Sequence, residues 1–288
     1  MESVTHAAEI ASARGRLAPP IGLVPTMGAL HAGHTAIIER ARRECASVVV
    51  SIFVNPLQFG ANEDFNTYPR NLEDDRDLLE SLNVDLLFEP RVLDVYPRKL
   101  DVFVEPTLLA QHLEGQRRPG HFRGVATVVL KLFNMIAPQK AYFGEKDAQQ
   151  LAVIRRMVND LNIPVEIVAC ETVREPDGLA LSSRNAYLTA AERRSAPNLY
   201  AALLFMKEEL AAGRRDVVAC IERARKLLKT LREDYLAVVH PDDFRPLHTA
   251  PSATELLAVG AAFAGQTRLI DNLRVQTPAG QEENDDEV

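Results

Sequence analysis

Cysteine is scarce in this chain. Cys45, Cys170 and Cys220 are scattered along 288 residues with no C-x-x-C pair. That spacing excludes a disulfide framework and a cysteine-based zinc site, and it fits free thiols in a reducing cytoplasm. Cys45 and Cys170 lie among apolar residues and are expected to be buried. No apolar run approaches the ~18 residues that span a bilayer. The first thirty residues hold no basic segment followed by an apolar core, so no signal peptide is expected. A basic stripe is missing too, and the pI of about 5.6 argues against non-specific nucleic-acid binding. The net charge is −7, but Gln281–Val288 alone holds five acids and no base. The body is therefore nearly neutral, and residues 281–288 are expected to form a disordered, solvated tail.

What remains is ordinary for a globular protein: 47% hydrophobic and 25% charged residues. At ~150 residues per domain, about two domains are expected. Short apolar runs alternate with amphipathic ones through the first half. Strands are predicted at Ile21–Met27, Ser47–Val54, Val84–Phe88, Lys140–Phe143 and Val165–Ala169. Helices are predicted at His34–Arg43, Asn71–Leu82, Val125–Ile136 and Asp147–Leu161. Strands buried on both faces and separated by helices imply a doubly wound parallel sheet, an α/β fold of Rossmann-like type. The second half predicts a long helix over Thr189–Gly213, opened by a Thr189/Glu192 cap, and another over Asp216–Leu231. Three strands follow, at Tyr235–Val239, Glu255–Phe263 and Thr267–Val275, with a turn at Gly265-Gln266. This is a smaller α+β C-terminal domain. The boundary is placed near Thr172–Asn185, giving domains of residues 1–173 and 174–280.

Five segments carry chemistry. Met27-Gly28-Ala29-Leu30-His31-Ala32-Gly33-His34 sits at a strand end and opens a helix. Gly33 would let the backbone approach a ligand, and a helix N-terminus offers free N–H groups and positive partial charge, which suits a polyphosphate. The imidazoles of His31 and His34 would donate to phosphate oxygens. A zinc site is disfavoured, since no third ligand lies nearby in sequence. Asn55 and Gln58, after the second predicted strand, suit hydroxyls and a carboxylate, or form an ordinary polar loop. Gly144-Glu145-Lys146-Asp147, followed by Gln149-Gln150, opens another helix; Lys146 suits phosphate and Asp147 suits a helix cap. Leu181-Ser182-Ser183-Arg184 presents hydroxyls and a guanidinium, as a lid segment or a solvated linker. Arg118 and His121 belong to a basic patch, Arg117–Arg123, that could meet a carboxylate or phosphates.

Together these segments resemble the pantoate–β-alanine ligase family of the HxGH nucleotidylyltransferase-like superfamily. The resemblance runs through VPTMGALHxGH, SIFVNPLQF, Tyr68-Pro69-Arg70, RPGHFRGV, FGEKDxQQ and VREPDGLALSSRN, in order, with LIDN at Leu269–Asn272. It implies ATP-dependent joining of (R)-pantoate and β-alanine through a pantoyl adenylate, releasing pyrophosphate and AMP. It places Met27–His34, Gly144–Asp147, Val173 and Leu181–Arg184 around ATP, with His34 as proton donor and His31 and Lys146 beside it. Gln58 and Gln150 would hold pantoate, with Gln58 also near β-alanine, while Asn55, Tyr68, Arg118 and His121 are second-tier candidates. ATP chemistry implies Mg²⁺, which Asp74 and Asp75 could approach through water. A cytoplasmic homodimer, with a lid-like C-terminal domain, is implied as well. Two competing functions stay open at this point: AMP transfer to a phosphorylated acceptor, and ATP binding without turnover. Ala32 departs from the HEGH common in the family, and Ala148 from an aromatic there. Residues 238–244 and the acidic tail also depart from its pattern.

Overall fold

The structure, a computed structural model, describes residues 1–60 and 63–279. The acidic tail lies outside the described residues. The described residues form two compact units: Met1–Arg174 with Leu181–Ser183, and Glu175–Ala180 with residues 184–279.

The first unit runs β1 (Glu2–Val4), α1 (Ala7–Arg14), β2 (Ile21–Thr26), α2 (Ala32–Glu44), β3 (Ser47–Ile52), α3 (Leu72–Ser81), β4 (Leu86–Phe88). It continues with α4 (Val92–Val95), α5 (Leu113–Arg117), α6 (His121–Ile136), β5 (Lys140–Gly144), α7 (Ala148–Asp160) and β6 (Glu166–Cys170). The six strands form one sheet in the order β1-β4-β3-β2-β5-β6, every pair parallel. Both faces are covered, which is why β3 is an almost unbroken β-branched run. Val24, Val48, Val50 and Leu87 pack with Ile38 and Ala41 of α2 and Leu79 of α3. The alternate residues Leu23, Val49 and Leu86 face the other side, and all are buried. Burying each such aliphatic side chain contributes about 1.5–3 kcal/mol. All three cysteines are free and buried.

Sequence patterning misses β1, α1, α4 and α5. Only Ile10 and Ala13 of α1 are buried, so that helix shows no apolar stripe.

In the second unit the expected long helix is two: α8 (Ala190–Ser195) and α9 (Asn198–Ala211). Pro197 lies between them and cannot donate the N–H a continuous helix needs. The Thr189/Glu192 capping box opens α8. Asp216 caps α10 (Val217–Arg225) by accepting from the Ala219 N–H at 2.9 Å. That helix stops short of Leu231, and the chain turns through a left-handed Lys229 (φ 54°). Three antiparallel strands follow, β7 (Arg232–Val239), β8 (Glu255–Ala264) and β9 (Thr267–Gln276). Gly265, at φ 58°, makes the β8–β9 turn. Leu199, Leu203 and Met206 of α9 fill the core of this unit with Leu236, Val238 and Ala258.

Candidate active site

In the parallel sheet, chain order reverses at β2: β3 and β4 lie on one side of it, β5 and β6 on the other. A crevice opens at the carboxyl ends of the strands at such a reversal. The segments after β2, β3 and β5 are those that carry His31 and His34, Asn55 and Gln58, and Lys146.

His31 is the N-cap of α2, in extended conformation. Its Nδ1 accepts from the Gly33 N–H at 3.1 Å, and the Nδ1 of His34 accepts from the His31 N–H at 3.3 Å. The two imidazoles thus form a reciprocal capping box, with ring centroids 4.1 Å apart. A nitrogen that accepts from a backbone N–H carries no proton. Each ring is therefore the neutral Nε2–H tautomer, with Nε2–H turned away from the backbone. Burial, then the charge of Lys146, lowers the His31 pKa to about 4. Burial, then His31 and Lys146, lowers that of His34 to about 3. Lys146 acts on both rings, and the strand it follows, β5, pairs with β2. Its ammonium also stands 4.0 Å from Asp147.

This corrects two expectations. Most N–H groups at the start of α2 are already used: those of His31 and Gly33 go to the imidazoles, and those of His34 and Thr35 to the His31 carbonyl. The side-chain donors on offer there are the two Nε2–H groups. Gly33, moreover, makes room for a ring rather than for a ligand. A Cβ there would stand 2.9 Å from His31 Cε1 and 3.0 Å from its Nδ1. Gly33→Ala is expected to swing the His31 ring away and to lower kcat about 10-fold or more, with the melting temperature nearly unchanged. Steady-state assay and thermal denaturation of that variant check it.

Asp75 is also reassigned. Its carboxylate is 4% exposed and accepts from the Ala29 N–H at 2.9 Å and the Leu30 N–H at 2.7 Å. Those two bonds hold a left-handed pair, Gly28 (φ 81°) and Ala29 (φ 51°). Ala29 pays about 1 kcal/mol for that conformation, which a charged hydrogen bond offsets. Burial raises the Asp75 pKa against the pull of those N–H groups. Both oxygens are committed to the loop, and the exposed Asp74 bonds Asn71. This pair does not fit a magnesium site, and no group of three potential metal ligands occurs among the described residues.

Asn55 is corrected as well. It is 1% exposed, and all four of its hydrogen-bonding positions are filled internally. Its Oδ1 accepts from Leu57 N–H (3.2 Å) and Tyr96 O–H (2.8 Å), and its Nδ2 donates to Gly124 O and Gln58 Oε1, both at 3.1 Å. No capacity is left for a substrate hydroxyl. Gln58 keeps capacity, because its Nε2 donates only to the Met27 sulfur at 3.0 Å, a weak acceptor that a ligand oxygen outcompetes. Arg118 is not open to a substrate anion. Its fork grips Glu63 with two bonds of 2.6 Å, and it donates to His121 Nε2 at 3.1 Å. His121 Nδ1 lies 2.8 Å from the Gln58 carbonyl.

The twin glutamines have different roles. Gln149 is buried and ties down the segment before α6, bonding Leu109 O, His112 O and Glu114 N–H. The side chain of half-buried Gln150 has no hydrogen-bond partner among the described residues. Asp147 occupies the N-cap position of α7 without a side-chain cap bond, contrary to expectation. Buried Tyr68 bonds Ser183 at 3.0 Å, and the Val173 carbonyl accepts from the Leu181 N–H at 3.0 Å. Arg184 begins the longer segment of the second unit. Sequence reasoning missed Gln149, Tyr96, Glu63 and Gly124 as site builders. Only Gly124, a glycine inside an apolar helical run, leaves a local signal.

Comparison with known proteins adds an independent finding. A family model described as pantoate-beta-alanine ligase matches residues 1–274. A pantothenate synthetase of Chloroflexus aurantiacus is 54% identical over 255 residues, 88% of this chain and 90% of that one. One from Thermus thermophilus is 52% identical over 279 residues, 96% and 99%. The crystal structure of the Thermus thermophilus enzyme superposes with a TM-score of 0.88 over 95% of this chain and 99% of that one, at 50% identity. A Francisella tularensis pantoate-beta-alanine ligase, complexed with beta-gamma ATP and beta-alanine, gives 0.78 over 95% and 97%, at 36% identity.

Proposed function

The chain belongs to the pantoate–β-alanine ligase family and carries that activity, and from this premise we propose how its residues divide the reaction. An oxygen of the pantoate carboxylate attacks the α-phosphorus of ATP, and the bond to the pyrophosphate oxygen breaks. The β-alanine amine then attacks the pantoyl carbonyl, loses a proton and expels AMP. AMP is a far better leaving group than oxide, so no enzyme nucleophile is needed. Positioning and charge stabilisation carry the rate.

One observation carries this reading: two neutral imidazoles, pinned by backbone to the Nε2–H tautomer, stand near Lys146 where the sheet order reverses. Neutral donors bind a phosphate whose negative charge grows, and they need no reorganisation as it grows. Lys146 adds a point charge for the leaving pyrophosphate. The underused amides of Gln58 and Gln150 are assigned to pantoate, with Gln58 also facing β-alanine. The Met27–His34 and Gly144–Asp147 segments, Val173 and Leu181–Arg184 are assigned to ATP. Magnesium enters with ATP as part of the substrate, and no step is assigned to Asp74 or Asp75. A cytoplasmic homodimer, twice the 31.9 kDa chain mass, belongs to the same reading.

The test uses ATP, Mg²⁺, β-alanine and (R)-pantoate labelled with ¹⁸O in its carboxylate. Pantothenate and AMP should form together, with one labelled oxygen in AMP. Unlabelled AMP would overturn the adenylate route. Pyrophosphate release without pantothenate would overturn the choice of amine.

A further inference from the structure

We propose that His121 is a positioning residue for the ligase reaction, holding the Gln58 carbonyl so that the Gln58 side-chain amide keeps its aim at pantoate. The proposal rests on the assignment of Gln58 to pantoate made above. His121 is the first residue of α6, entered through a left-handed Gly120 at φ 83°. The ring is 8% exposed, so it reaches ligand space only through its neighbours.

Its protonation is fixed by what surrounds it. Arg118 NH1 lies 3.1 Å from Nε2, and a guanidinium can only donate. Nε2 is therefore the bare acceptor, and the single proton sits on Nδ1. The Gln58 carbonyl, 2.8 Å from Nδ1, can only accept. The direction of both bonds follows. The guanidinium is itself immobilised, because Glu63 takes two of its N–H groups at 2.6 Å and Glu114 stands 3.9 Å away. A chain of oriented donors thus runs Arg118 to His121 to Gln58, anchored by Glu63 at its half-exposed end. Arg118 also reaches the same carbonyl at 3.4 Å.

The geometry at the far end gives this chain its purpose. Pro56–Gln58 is a single three-residue turn. Its N-terminal end is pinned by Asn55, whose four bonds are filled, and its C-terminal end by His121. Between the two pins only the Gln58 amide has an underused donor, the Nε2–H that rests on a thioether. Loosening the carbonyl pin lets the turn rock and that amide wander. The pinned turn follows β3, whereas His31 and His34 follow β2 and Lys146 follows β5, so ATP binding should not register the loss.

The experiment is steady-state kinetics with ATP, pantoate and β-alanine varied in turn, plus thermal denaturation, on H121N, H121L, E63Q and Q58A. Asparagine places an N–H near the Nδ1 position, so H121N should keep the pantoate KM within about 3-fold of wild type. H121L should raise it about 10-fold or more while leaving the ATP KM within about 2-fold. E63Q loosens the clamp from its more exposed end and should raise the pantoate KM about 3-fold without lowering the melting temperature. E63Q decides the matter if H121L fails to fold. An unchanged pantoate KM in H121L, equal losses in H121N and H121L, or a silent E63Q would each overturn the proposal. A Q58A enzyme with wild-type pantoate KM would instead overturn the Gln58 assignment, and the proposal with it.

Discussion

Replacing His34 with alanine is expected to cut the rate of AMP formation about 10²- to 10³-fold, the usual cost of one preorganised donor at a developing oxyanion. The fold should survive, because the variant loses one capping bond, that from the His31 N–H at 3.3 Å. Such a bond is worth about 1 kcal/mol. His34→Gln should fall between, since glutamine offers an N–H at a similar reach but cannot hold the same tautomer-fixed direction. Measuring kcat and the ATP KM separately decides the role. A loss in kcat with little change in KM marks a transition-state interaction. A rise in KM at constant kcat would mean that His34 merely binds ATP.

Gly124→Ala should damage both stability and the carboxylate side of the site. A Cβ at Gly124 would stand 2.2 Å from Leu57 O, 2.4 Å from Leu57 C and 2.7 Å from Gln58 N. These are backbone atoms facing a buried helix, so no rotamer change relieves the clash. Either α6 or the Asn55–Gln58 turn moves, and the bond from Asn55 Nδ2 to Gly124 O goes with it. Overpacking of this kind costs about 1–3 kcal/mol, a fall of several degrees in melting temperature for a unit of this size. The pantoate KM should rise at least about 10-fold, with ATP binding largely kept. Gly15→Ala is the control. Gly15 has φ −63°, and an added Cβ meets only carbonyl oxygens at 3.4 Å, so that variant should be neutral or slightly stabilised. Equal behaviour of the two variants would contradict this packing account.

The difference between what the sequence reveals and what it hides follows the range of each interaction. The β-branched run of β3, the Thr189 and Asp216 caps and the Gly265 turn are set within a few residues, and local patterning finds them. His31 and His34 are legible for the same reason, since their capping box spans three positions. Asp75 reads as one more acid on a solvated helix face. Its partners are Ala29 and Leu30, 46 and 45 positions away, and only the closed sheet brings them together. Arg118 reads as part of a basic patch until Glu63, 55 positions off, takes its charge. Asn55 and Gln58 are chemically alike in sequence, yet the turn aims one amide into the protein and leaves the other underused. Asn198 and Pro197 show the opposite error: apolar spacing carried the predicted helix through a residue whose ring forbids it. The resemblance in motif order made the activity legible where no single motif did.

The central claim is that His31 and His34 work as neutral Nε2–H donors whose tautomers the helix N-terminus dictates. Nitrogen-15 NMR of histidine-labelled protein tests it most directly. Between pH 8 and pH 5 both Nδ1 atoms should show the shift of a bare acceptor and both Nε2 atoms that of an N–H. Neither ring should titrate until the pH nears about 4 for His31 and about 3 for His34. A proton on Nδ1 of either ring, or an imidazolium titrating near the ordinary value of about 6.5, would contradict the account.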